Sequence, residues 1–256
     1  MNASSLIVRM VRLFAAQARL YCLSVGTAGL LGIVSLTAIS IFMVRGAGEG
    51  PLDSRVLWEA MGFSRKFISI FGVTFALWTP ILLGARAVCR ITADQLSNKP
   101  TASLPRVLAD MIRFLPAALV YSLLIGFPTL IGAAILVVPG VVAAAIFILV
   151  VPTSVNEPGG LIQTYFRGIS LANKVFVKGL IITTICSALV LLIVVLRILF
   201  VDRFLPDTRI LYALRFTLTY IPALFILILA NICYSLLYIE GREKFRGSPQ
   251  PQAGLQ

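Results

Sequence analysis

Five long segments without a charged residue constrain this chain more than any other feature of its sequence. They run from Leu20 to Val44, Phe67 to Ala85, Phe114 to Asn156, Gly179 to Leu196 and Phe216 to Ile239, with lengths of 25, 19, 43, 18 and 24 residues. A bilayer core ~30 Å thick takes about 20 helical residues, so the third segment is two spans long and each of the others is one. The sequence therefore predicts an all-α, polytopic integral membrane protein.

The 43-residue segment needs an internal turn, which we place at Pro139-Gly140 because proline stops a helix and glycine permits a tight reversal. The short fourth span is also compatible with a re-entrant segment. We thus predict a single transmembrane domain over residues 1–241, with six helices in three hairpins, and a disordered tail over 242–256. The predicted spans are about 20–44, 67–86, 114–138, 140–156, 179–198 and 215–239.

The composition excludes several classes of protein. Only 12% of the residues are charged, about half of the roughly 25% typical of soluble domains. The chain has no histidine, which excludes a His-ligated metal or haem and a Ser-His-Asp triad, and we expect no cofactor. None of the four cysteines belongs to a CxxC pair, so we expect small membrane-buried side chains rather than disulfides. They are Cys22, Cys89, Cys186 and Cys233.

Lysine and arginine are distributed unevenly between the two sides that six spans would create. The side that holds both termini carries 14 of them and the opposite side carries 8. The positive-inside rule therefore predicts that both termini are cytoplasmic. On the opposite side, residues 54–61 are predicted to form a short helix that places Trp58 at the interface.

A basic segment with helical periodicity precedes each predicted hairpin. In the clearest case, residues 161–178, polar side chains recur on one face and apolar ones such as Ile162 and Phe166 on the other. A helix of this kind lies in the plane of the membrane interface, with its cations near anionic headgroups. We therefore expect anionic membrane lipids as partners, with a partner protein or a homo-oligomer as the alternatives for protein contacts, and nucleic acid is not expected. The candidate headgroup residues are Arg9, Arg12, Arg19, Arg106, Arg113, Arg167, Lys174 and Lys178.

The predicted membrane interior has no ionisable residue in the middle of any span, which argues against a pump, a proton-coupled carrier or a voltage sensor. Asn231, near the middle of the sixth span, is interpreted as either a ligand contact or an interhelical hydrogen bond. The acidic pairs Asp94/Asp110 and Asp202/Asp207 have no nucleophile near them in the sequence, so no catalytic residues are assigned.

Short motifs between Pro80 and Leu180 resemble a widespread bacterial membrane family. They are Val137-Val138-Pro139-Gly140-Val141, Val151-Pro152, Asn156-Glu157, Arg167-Gly168-Ile169-Ser170-Leu171 and Lys178-Gly179. The family includes YciC-like proteins and the membrane domain fused to some glycerophosphodiester phosphodiesterases. The resemblance implies a six-helix bacterial inner-membrane protein and supplies no activity. The chain departs from the pattern at Gly168, where serine is usual, and at Asn173-Lys174, which replace Lys-Gly.

Glu157 is a candidate interface acid, which is expected either to pair with Arg167 or a nearby lysine or to cap the helix that follows. The favoured function is that of a non-enzymatic membrane protein that binds lipid or partner proteins, as a complex subunit or an envelope-maintenance factor. The alternative is a transporter or flippase of an apolar or lipid-like solute. A third hypothesis, a membrane-embedded enzyme acting on lipid, would need carboxylates or cysteines that converge at one interface.

Overall fold

A computed structural model describes residues 3–45, 63–100, 102–135, 137–157, 159–197, 199 and 209–247. The predicted short helix over 54–61 with Trp58, the Asp202/Asp207 pair and residues 248–256 lie outside these ranges. The described part of the chain is helical, without strands. Its helices are α1 (Ala3–Arg45), α2 (Phe63–Leu96), α3 (Leu104–Tyr121), α4 (Phe127–Ile135), α5 (Val137–Phe147), α6 (Val150–Asn156), α7 (Leu161–Lys174), α8 (Phe176–Leu196) and α9 (Arg209–Gly247).

Six stretches of the described helices are long and apolar enough to span a membrane, which makes the chain a multi-pass helical membrane protein. This confirms the predicted fold class. The six are Ser5–Ala38, Ile70–Leu96, Leu104–Thr129, Val138–Asn156, Phe176–Leu196 and Pro222–Glu243.

The first two helices pack antiparallel along most of their length. Tyr21 shares a 2.9 Å hydrogen bond with Thr92, whereas Gly32 lies against Pro80 further along. Before this contact, α1 is interrupted at Gln17, whose φ of −140° is not helical. The segment that precedes the interruption, residues 3–16, turns onto α9, where Met10 Sδ lies 3.2 Å from Cys233 Sγ. Residues 3–16 thus form a helical segment that a kink at Gln17 sets apart from the first span, at the position of the predicted N-terminal amphipathic segment.

A π-helical turn, Ser122–Gly126, joins α3 to α4. It precedes Pro128, which has no N–H to donate to the Leu124 carbonyl one turn earlier. The Tyr165 hydroxyl donates to that carbonyl from α7 at 3.4 Å. Neighbouring helices commonly satisfy backbone groups that a proline leaves without a partner.

The turn between the third and fourth spans differs from the prediction. Pro139 and Gly140 lie inside the first turn of α5, which begins at Val137. A proline is tolerated there because the first N–H groups of a helix have no intrahelical acceptor. Gly132 of α4 allows the backbones to pack closely here, since a Cβ on it would lie 2.9 Å from the Gly140 nitrogen.

Two helices extend further than the charge pattern predicts. α2 continues ten residues beyond Arg86, and α9 continues through residues 242–247, which the sequence analysis predicts to be part of the disordered tail. In α2 the arginine is paired within the bundle and therefore does not end the helix. In α9 the segment Arg242-Glu243-Lys244 consists of good helix formers, and the helix ends at Gly247.

The bundle leaves α8 largely on its outside. Gly179 and Thr183 are its buried residues, and apolar side chains such as Ile181, Ile185 and Leu191 are exposed. Asn231 on the neighbouring α9 is buried, but its amide donates to the Leu227 carbonyl of the same helix at 2.8 Å. This hydrogen bond lies within α9 and is therefore not the interhelical hydrogen bond that the sequence analysis considers for Asn231.

Candidate functional site

Charged and polar side chains from several helices meet at one end of the bundle, which we call the charged end. It consists of the C-terminal parts of α2, α6 and α9, the N-terminal parts of α3 and α8, and α7. The ion pairs that join Arg86 to Asp110, Glu157 to Arg167 and Lys178 to Glu240 all lie here. This is the end that the sequence predicts to be cytoplasmic.

Arg86 links three helices at the charged end. Its Nε donates to Asp110 Oδ2 at 2.9 Å and its Nη2 to Asp110 Oδ1 at 3.2 Å, a bidentate pair between α2 and α3. Its Nη1 donates to the Ser154 carbonyl of α6 at 2.7 Å and to the Ser154 hydroxyl at 2.9 Å. The guanidinium also lies 4.7 Å from the centre of the Phe114 ring. These contacts give Arg86 a structural role.

Glu157 follows α6 and joins it to α7 and α9. The carboxylate forms an ion pair with Arg167, and its Oε1 accepts a 2.7 Å hydrogen bond from the Tyr238 hydroxyl. The Arg242 Nε lies 4.0 Å from the same Oε1, which is beyond hydrogen-bond distance. The predicted Glu157–Arg167 pair is confirmed. The predicted cap is not formed, because α7 begins after Gly160 without a side-chain cap.

A close backbone contact holds α7 on the bundle. A Cβ on Gly168 would lie 2.6 Å from the Cα of Val150, so only glycine fits at this position. Gly168 therefore lets the backbone of α7 approach that of α6 closely. The buried face of α7 is formed by Thr164, Gly168, Leu171 and Ala172.

Tyr165 adds an aromatic anchor to α7. Its ring stacks on Tyr121 of α3 at 6.3 Å and on Phe147 of α5 at 5.7 Å between centroids. Burial raises the pKa of the Tyr165 hydroxyl above its ordinary value, so it remains protonated and able to donate to Leu124 at neutral pH.

The outer surface of α7 carries both apolar and basic side chains. Ile162 and Phe166 are 67% and 64% exposed. Lys174 is exposed on the same helix, and Arg167 remains half-exposed although it is paired with Glu157. Of the other predicted headgroup residues, Lys178 lies at the start of α8 and is partly exposed. The remaining five, Arg9, Arg12, Arg19, Arg106 and Arg113, are exposed on α1 and α3.

A pocket of about 260 Å³ opens at the charged end between α2, α6 and α9. The sequence analysis does not predict this pocket, because it assigns Arg242 and Glu243 to the tail and considers Asp94 and Asp110 only as a catalytic pair. Instead, Asp94 lies 3.6 Å from Arg90 and Asp110 pairs with Arg86. Helical spacing could have indicated the pocket, since Ser235, Tyr238, Ile239 and Arg242 recur at steps of three, one and three on α9. The lining residues are Ala93, Leu96, Ser97, Asn156, Ser235, Tyr238, Ile239, Arg242 and Glu243.

The described ranges contain no group of three or more His, Cys, Asp or Glu side chains that could hold a metal ion. Comparison of the chain with protein families, with curated proteins and with solved structures finds no match. The resemblance to the YciC-like family therefore stays a prediction from the motifs. The chemistry available at the charged end is that of ion pairing and hydrogen bonding to a polar or charged ligand.

Proposed function

We propose that this chain is a non-enzymatic protein of the bacterial inner membrane, with both termini in the cytoplasm, that binds anionic lipid at the cytoplasmic interface through α7. The observation that carries the proposal is the outer surface of α7, where exposed Ile162 and Phe166 lie on the same short helix as Arg167 and Lys174. Apolar side chains of an interfacial helix enter the acyl boundary while its cations remain among the headgroups.

The attachment of α7 supports this proposal. The Gly168 contact and the Tyr165 stack fix the helix on the bundle, so its apolar and basic outer side chains are presented together without a further ordering cost. A preorganised surface loses less conformational entropy when it binds than a mobile segment does. The same surface is available to a partner protein, which is the second part of the favoured function.

The test is native mass spectrometry of the full chain, released from nanodiscs that contain phosphatidylglycerol and phosphatidylethanolamine. We expect phosphatidylglycerol to be retained preferentially. A basic residue near an anionic surface contributes ~1 kcal/mol, so Lys174→Gln should lower its affinity about fivefold. Lys174→Arg, which keeps the charge, should retain the lipid as the wild type does. If Lys174→Gln and the wild type retain it equally, α7 does not bind anionic lipid.

The same mass spectra test the hypothesis that the outer surface of α7 binds a partner protein. A protein that remains bound at fixed stoichiometry when chains are extracted directly from membranes, and that is lost with Phe166→Ser, would assign this surface to a partner instead of to lipid. We expect lipid adducts, because both exposed apolar residues and cations on α7 fit the composition of an interface.

A further inference from the structure

The pocket between α2, α6 and α9 has one cation and one anion in its lining, Arg242 and Glu243. They are adjacent on a helix, and side chains at i and i+1 point in different directions rather than at each other. The pocket therefore presents a positive and a negative group at separate points. A ligand that matches both has a phosphate or carboxylate at one end and an ammonium at the other.

Arg242 is placed to take the anionic end of such a ligand. Its Nε is 4.0 Å from Glu157, which leaves that contact weaker than the hydrogen-bonded pair between Glu157 and Tyr238. Glu157 is also paired with Arg167 on its other side. A guanidinium binds phosphate through two parallel hydrogen bonds, which makes a phosphate a better partner than a distant shared carboxylate.

Polar groups on the other walls complete the lining. Asn156 uses one side-chain N–H on the Pro152 carbonyl, and an amide nitrogen carries two. The hydroxyls of Ser235 and Tyr238 donate to Asn231 and Glu157, so they offer their oxygen lone pairs to a ligand. These acceptors, together with the Glu243 carboxylate, suit an ammonium group, which has three donors.

The size of the pocket limits what can enter. About 260 Å³ is below the roughly 300–1,000 Å³ of pockets that hold drug-sized ligands. Leu96 and Ile239 supply an apolar wall beside the polar groups, and Ile239 is more than a third exposed. The space suits a small zwitterionic group with a short carbon chain and not a whole phospholipid.

We propose that this pocket binds a phosphoethanolamine group, with the phosphate on Arg242 and the ammonium on Glu243. The group can come from the headgroup of phosphatidylethanolamine or from a soluble phosphoethanolamine ester. The pocket lies apart from the outer surface of α7 and is lined by different residues. A failure of phosphoethanolamine binding here can therefore be distinguished from a failure of anionic-lipid binding at Lys174.

The first experiment titrates soluble phosphoethanolamine, sn-glycerol 3-phosphate and inorganic phosphate into the purified full chain by calorimetry. If the natural ligand is a soluble ester, the wild-type protein should bind phosphoethanolamine more tightly than sn-glycerol 3-phosphate or inorganic phosphate. In a second experiment, native mass spectrometry from phosphatidylethanolamine and phosphatidylglycerol nanodiscs detects the lipid source. Arg242→Gln should lower phosphoethanolamine or phosphatidylethanolamine binding at least about tenfold, since even one of the two charge-assisted hydrogen bonds accounts for a loss of that size. Glu243→Gln should remove the preference for the ammonium-bearing ligand.

Lys99→Gln is the matched control, because Lys99 is an exposed cation just beyond Ser97 and does not line the pocket. It should bind as the wild type does, and all variants should keep the wild-type unfolding temperature. Arg242→Gln should reduce retention of phosphatidylethanolamine but not of phosphatidylglycerol, and Lys174→Gln should do the reverse. The proposal is overturned if neither source binds the wild type, or if Arg242→Gln and Lys99→Gln have equal effects.

Discussion

Replacing Gly168 by alanine tests the contact that holds α7 against α6. The added Cβ would lie 2.6 Å from the Cα and 2.9 Å from the nitrogen of Val150. Both atoms belong to the backbone, so no side chain can rotate out of the way. Reaching ordinary contact at 3.4 Å requires the two helices to separate by about 0.8 Å.

The free energy of unfolding should fall by the cost of this displacement. Overpacking of a well-packed site costs about 1–3 kcal/mol, and it is opposed by a gain of ~1 kcal/mol because alanine is a better helix former than glycine. Gly26→Ala in α1 isolates the helix-propensity gain, because a Cβ there meets no atom within 4 Å. Both variants share the helix-propensity gain, so their difference measures the clash.

A thiol-reactive dye during a thermal ramp in mild detergent provides the assay. Cys89 and Cys233 are buried in the folded protein and react only when the bundle opens. Gly168→Ala should unfold several degrees below Gly26→Ala, using the scale of roughly 2–4 °C per kcal/mol for chains of this size. Equal midpoints, or a more stable Gly168→Ala, would refute the close packing of α7 on Val150.

Two further predictions concern the charged end and the thiols. Arg86→Met should lower the free energy of unfolding by about 2–3 kcal/mol, somewhat less than the 3–5 kcal/mol of a fully buried pair because Asp110 is 27% exposed. The double variant Arg86→Met/Asp110→Leu should recover most of that loss in the same thermal assay, and a double variant no more stable than the single one would contradict the pairing. In the native state, Cys22 is exposed and should react with maleimide first, so Cys22→Ala should remove the fast labelling phase. A fast phase that persists would place another thiol at the surface.

The sequence predicted the membrane-spanning architecture because uncharged length is a direct physical requirement of the bilayer. The prediction is less accurate at the ends of the spans, because it places a helix boundary at each charged residue. α2 continues past Arg86 because Asp110 and Ser154, from two other helices, accept hydrogen bonds from its guanidinium group. Such tertiary pairing is not visible in a single segment of sequence.

The candidate site shows the same division between local and tertiary information. The Glu157–Arg167 pair is close in sequence and was predicted, whereas Tyr238 reaches Glu157 from 81 residues away. Periodicity identified the polar and apolar stripes of α7 but not which residues face the bundle. The face that packs on the bundle includes Gly168, where the absence of a side chain permits a backbone contact with α6. A pattern of hydrophobic residues does not predict such a contact.

The contact between Met10 and Cys233 also has a consequence for how the chain is made. The two residues are separated by 223 positions, so the N-terminal segment emerges long before the helix that covers it. At about 5–20 residues per second, the ribosome leaves Met10 without its contact to Cys233 for roughly 10–45 s. A nascent chain that stops before α9 would therefore keep the N-terminal segment without the contact that holds it on the completed bundle.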